Sequence, residues 1–72
     1  MSRQRKVTED EVYAYLMYFI EKHGFSPTVR EIQDGLSISS PSLIQSRLRE
    51  LHDNERITHI PGSPRTIRLV RR

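Results

Sequence analysis

The chain has 72 residues, enough for one domain with one modest core, and it contains no cysteine, which excludes disulfides and thiolate metal sites and fits a reducing compartment. No apolar stretch reaches membrane-spanning length, and the basic residues 2–6 run straight into an acidic amphipathic segment rather than a signal-peptide core. The expectation is a cytoplasmic protein with no membrane partner.

The net charge of +3 is unevenly spread. Arg3, Arg5 and Lys6 precede Thr8 with no acid among them, and Arg65, Arg68, Arg71 and Arg72 follow Pro61 with none either. All nine acids lie between, against five bases. Positive ends on a negative middle fit either solubilising tails or contact with a polyanion such as nucleic acid.

Thr8-Glu9-Asp10-Glu11 is a capping box with three acids at the positive end of a helix dipole. Val12, Leu16, Phe19, Ile20 and His23 follow at helical spacing, widened by Tyr13 and Met17, and Gly24 supplies a stop. The spacing predicts a first helix over 9–23. Thr28-Val29-Arg30-Glu31 is a second capping box, and Ile32 and Leu36 share a face, so a short second helix over 29–36 is expected. Ser40 reads as an N-cap with Pro41 at the first helical position, which predicts a third helix over 41–53. Two β-like runs, 57–60 and 66–70, flank the turn-rich Pro61-Gly62-Ser63-Pro64-Arg65 and read as a hairpin.

The fold class expected is α+β, mostly α: a single three-helix winged helix-turn-helix domain over 1–72, with a basic arm at 1–7 and a C-terminal two-stranded wing at 57–70. In that plan the second helix of the tight pair enters the major groove of duplex DNA.

The third helix carries the strongest argument. At about 100° per residue, Ile44, Leu48 and Leu51 form one buried stripe, while Ser42, Gln45, Ser46 and Arg49 fall together on the opposite side. That outer side has small hydroxyls, one amide and one guanidinium, and no acid in its first two turns. Such side chains suit a major groove about 12 Å wide: Gln pairs with adenine, Ser bonds either kind of edge, and Leu43, expected to be exposed at the flank, meets a thymine methyl. Ser40 and the free N–H groups of the first turn suit a phosphate. The competing reading is an ordinary solvated face. Arg65 at the hairpin tip suits a minor groove or a phosphate, or is simply solvated; Arg68, alternating with Ile67 and Leu69, is expected to face out.

Taken together, the stretch Gly24-Phe25-Ser26-Pro27-Thr28-Val29-Arg30-Glu31-Ile32 resembles the signature of the LexA-type repressor DNA-binding domain. Ser40-Pro41 is similar to the start of that family's recognition helix, Leu48 and Leu51 to its core positions, and Gly62, Arg65 and Ile67-Arg68-Leu69 to its wing and last strand. The resemblance implies a winged helix-turn-helix that binds two-fold operator half-sites, with base contacts from Ser40, Ser42, Leu43, Gln45 and Ser46, a wing contact near Arg65 and a phosphate contact around Thr28. It departs from the pattern at Ser42, Leu43, Gln45 and Ser46, so a different target sequence is expected. It departs again at Asp53-Asn54-Glu55, where the family has a basic pair and Gly; Asn54 is expected to take the left-handed conformation there. Gly35 stands before Leu36 rather than after it. The family's self-cleaving Ser–Lys protease domain, which also dimerises, has no counterpart in these residues.

No enzyme, cofactor, metal or small-molecule substrate is expected. His23, His52 and His59 are not at ligand spacing, and Glu9, Asp10, Glu11 and Glu31 are accounted for by capping. The leading function is sequence-specific binding of double-stranded DNA by a nucleoid-associated transcriptional repressor or its DNA-binding fragment, as a homodimer on a two-fold operator. Base reading falls to Ser40, Ser42, Leu43, Gln45, Ser46 and Arg49, and backbone or wing contact to Thr28, Arg65, Arg68, Arg3, Arg5 and Lys6. Two alternatives stay open: a protein-interaction winged helix anchored by Leu43, and non-specific nucleic-acid binding through the basic tails.

Overall fold

The computed structural model describes residues 6–60 and 62–70; Arg3, Arg5, Arg71 and Arg72 lie outside them. Its elements follow in the order α1 (Glu9–His23), α2 (Val29–Leu36), α3 (Pro41–Asp53), β1 (Ile57–Thr58) and β2 (Arg68–Leu69). Each helix starts on a hydroxyl cap. The Thr8 hydroxyl accepts from the Glu11 amide at 3.1 Å, and the Thr28 hydroxyl accepts from the Glu31 amide at 3.2 Å. Both Glu side chains accept in return, completing the boxes. Ser40 accepts from the Leu43 amide at 3.4 Å, with Pro41 beginning the helix. Such caps contribute about 1 kcal/mol each.

The helix ends use the left-handed backbone region. Gly24, at φ 80°, closes α1 and donates its amide to the Ile20 carbonyl at 2.8 Å. α2 closes on Ser37 at φ 57°, not on its glycine. After α3 the expected left-handed residue is displaced by one: Asn54 has φ −86° and Glu55 has φ 60°. Asn54 instead spends its amide on the carboxylate of Glu9, at 3.0 and 3.2 Å.

The three helices pack pairwise, and β1 lies on α3. Their apolar faces meet in one core of Val12 and Leu16 from α1, Ile32 from α2, Ile38 from the turn, Ile44, Leu48 and Leu51 from α3, and Ile57 and Ile67 from the hairpin. Fully burying a side chain such as Leu16 or Ile44 contributes roughly 1.5–3 kcal/mol, an upper bound because unfolded chains already hide some surface. Val7, read from sequence as part of a basic arm, is in this core too. The Arg47 Nε donates to its carbonyl at 2.9 Å, so the arm is anchored on α3 from residue 7 onward. His23 and Met17, read as part of the α1 stripe, are exposed; the His23 ring packs on Phe19 instead, with centroids 4.2 Å apart.

The hairpin is antiparallel, with Ile57 opposite Leu69 and Thr58 opposite Arg68. Its strands are two residues long, shorter than the runs at 57–60 and 66–70 suggest. Beyond Thr58 a side chain takes over from the ladder: the Thr66 hydroxyl accepts from the Ile60 amide at 2.9 Å and donates to the Ser63 carbonyl at 3.0 Å.

Candidate nucleic-acid interface

On α3 the helical period separates two faces cleanly. Ile44, Leu48 and Leu51 are buried, and Ser42, Gln45, Ser46 and Arg49 are exposed on the other side. Arg49 makes no ion pair or hydrogen bond within the described residues, so its guanidinium is available. Leu43 does not stand clear as expected: it is half-buried and packs on the core, because its place on the wheel turns it toward the side of α3 from which Arg47 reaches the Val7 carbonyl. Ser40 is half-buried and uses its oxygen in the cap, leaving its hydroxyl proton to donate.

A groove of about 770 Å³ runs between the α2 start, the outer side of α3 and the wing. It brings together Thr28, Gln45, Arg49 and Arg65 from the expected set, with Arg30, His52, His59 and Ile60 beside them. Arg68 is exposed but borders a different depression, next to Gly24 and Phe25, and does not join the α3 ridge. Lys6 is exposed.

Arg65 turns inward rather than out of the wing tip. Its Nη1 and Nη2 donate to Glu31 Oε1 and Oε2 at 3.0 and 3.1 Å, and Nη1 also donates to the Ser26 carbonyl at 3.0 Å. Its guanidinium carbon lies 4.7 Å from the centre of the Phe25 ring. Glu31 is held below the usual carboxylate range, first by the Thr28 backbone N–H and then by Arg65. His59 is pushed toward its neutral form: burial, and then the nearby His52 ring 5.6 Å away, disfavour its charged form.

A family model described as "LexA DNA binding domain" matches residues 2–66. The chain belongs to this LexA family. Among its relatives, a LexA repressor of Carboxydothermus hydrogenoformans is 31% identical over 62 residues, covering 86% of this chain and 30% of that protein. A LexA repressor of Roseiflexus is 40% identical over 50 residues, covering 69% and 23%. One from Staphylococcus haemolyticus is 29% identical over 68 residues, covering 94% and 33%. The chain thus spans no more than about a third of the length of these curated relatives.

This LexA-family domain holds groove residues that sequence reasoning passed over. His52 lies within about 20° of Gln45 on the helical wheel, so periodicity places it on the rim of the same ridge. Arg30, exposed on α2 and only loosely paired with Asp34 at 3.8 Å, also borders the groove. His59 and Ile60 enter through the wing's path, for which no local pattern gives a signal. No helix among the described residues is long and apolar enough to cross a membrane.

Proposed function

We propose that this LexA-family domain reads the sequence of double-stranded DNA as the DNA-binding part of a transcriptional repressor. The observation that carries the reading is the exposed ridge of Ser42, Gln45, Ser46 and Arg49, lying opposite the buried stripe of a helix that follows α2 through a tight turn. The ridge enters the major groove, where Gln45 pairs with a purine edge and the serines bond bases or phosphates. Thr28 and the α2 start lie along the same groove and take a phosphate, with Arg30 adding charge. The arm cations Arg3, Arg5 and Lys6, and Arg68 on the wing's second strand, contribute backbone contacts whose number sets the salt dependence.

One domain contacts one half-site, so two copies act on a two-fold operator, and the protein is nucleoid-associated through that contact. The domain itself performs no catalysis and takes no small-molecule substrate. The protein-interaction alternative loses its anchor, since Leu43 packs on the core. Selection from a pool of random duplexes tests the reading. The expected product is a two-fold motif with half-sites about one helical turn apart. Failure to capture any duplex near 50 mM salt would overturn it.

A further inference from the structure

The wing of a winged helix serves a DNA-reading domain only if it is held at a set distance from the recognition helix. Ile57 and Ile67 hold the base of the wing in the core, but the ladder beyond that base is only two residues long and does little to hold the turn. The structure has a second attachment. Arg65 sits on the wing turn with a left-handed backbone, φ 61°, which a non-glycine residue adopts at a cost. What it gains is the fork on Glu31, the Ser26 carbonyl and the face of Phe25. Phe25 is itself half exposed, and the guanidinium covers part of that ring.

Glu31 is the junction. Its Oε1 accepts from the Thr28 amide at 2.9 Å, closing the α2 cap, and from Arg65 at 3.0 Å. The cap that starts the helix-turn-helix and the arginine that ends the wing turn therefore share one carboxylate.

We infer that Arg65 is a positioning residue, not a DNA contact: its bidentate bond to Glu31 straps the wing to the start of α2 and sets the width of the groove between the wing and the α3 ridge. The inference rests on the DNA-reading function proposed above. An exposed ion pair of this kind adds little to global stability. Its effect is on geometry: the side chain fixes where the wing backbone meets the phosphates.

Two readings of Arg65 give opposite signs for one substitution. If Arg65 neutralises a phosphate, removing the competing carboxylate with Glu31→Gln frees it and tightens binding. If Arg65 is a strap, Glu31→Gln loosens the wing and weakens binding, although Gln can still accept the Thr28 cap bond. Lysine separates them again, because it keeps the charge and loses the fork.

The experiment measures affinity for a duplex selected from a random pool, at several salt concentrations, for the full chain and for Arg65→Gln, Arg65→Lys, Glu31→Gln and the Arg65→Gln/Glu31→Gln pair. The expected result is a loss of about tenfold in each single variant, no further loss in the pair, and an unchanged salt slope. A slope lowered by about 0.9 in Arg65→Gln, with tighter binding by Glu31→Gln, overturns the inference. Amide NMR spectra without DNA provide the arm that survives if no duplex is captured, an outcome that counts against the DNA reading alone. Arg65→Gln and Glu31→Gln are expected to shift the same amides, at 25–31 and 62–66. Wing amides that move in Arg65→Gln and stay still in Glu31→Gln overturn the strap.

Discussion

The ring of Tyr15 on α1 rests against Gly35 on α2, so closely that a methyl group on Gly35 would overlap the ring atoms around the Tyr15 hydroxyl. The hydroxyl donates to the Glu31 carbonyl at 3.5 Å, one helical turn away on α2. Glycine stands before Leu36 for this reason: it admits an aromatic ring from the neighbouring helix, while Ser37 takes over the left-handed cap.

Gly35→Ala therefore opposes two effects. Alanine gains about 1 kcal/mol in helix propensity, and overpacking against Tyr15 costs typically about 1–3 kcal/mol. Urea denaturation is expected to show net destabilisation. Tyr15→Leu combined with Gly35→Ala should recover part of it, since the clash goes with the ring.

Thr8 and Thr28 make the same capping box on different helices, and only Thr28 borders the candidate groove. Each Thr→Ala change is expected to cost about 1 kcal/mol of stability. DNA affinity should fall in Thr28→Ala and hold in Thr8→Ala. Equal losses of affinity would remove Thr28 from the interface.

Arg56 ties the end of α3 to the start of α1. It donates to Asp10 at 2.7 Å and Glu9 at 3.1 Å and lies over the Tyr13 ring at 4.3 Å. Its side chain is 34% exposed, so solvent screening limits what the ion pairs contribute. Arg56→Gln is expected to lower stability by about 1 kcal/mol at low salt, from both the pairs and the ring contact. Thermal melts in 1 M NaCl should show a smaller difference.

His59 introduces a pH dependence. Burial, and then His52, hold its pKa below the ordinary imidazole value of 6.5, so the folded protein binds its proton less readily than the unfolded chain does. The stability this group contributes is full above that value and is lost as pH falls from it toward the folded pKa. Wild type should lose stability relative to His59→Phe between pH 7 and pH 5, as read by denaturation midpoints. An NMR titration should place the His59 midpoint below 6.5.

The fold class, three helices and a hairpin, was legible because its signals are local. Thr8 to Glu11, Thr28 to Glu31 and Ser40-Pro41 each act within four residues, and Gly24 needs nothing beyond its own backbone. The α3 ridge was legible for the same reason, since one helical period sorts Ile44 from Gln45. What could not be read depends on pairs far apart in the chain. Arg65 meets Glu31 across 34 residues, Arg47 meets the Val7 carbonyl across 40, and Asn54 meets Glu9 across 45. Each redirects a polar side chain that sequence alone leaves free or assigns elsewhere. Leu43 is half-buried where exposure is expected, because a position on a helical wheel gives direction but not which neighbouring element lies there.

Base reading by the α3 ridge is what the proposed function stands on. Its most direct measurement is the affinity of wild type and Gln45→Ala for the selected duplex against a scrambled duplex of equal length, at one fixed salt concentration. Wild type should discriminate strongly, and Gln45→Ala should lose about 1–3 kcal/mol on the selected duplex with little change on the scrambled one. Equal binding of both duplexes by wild type, or full discrimination retained by Gln45→Ala together with Arg49→Ala, would contradict it.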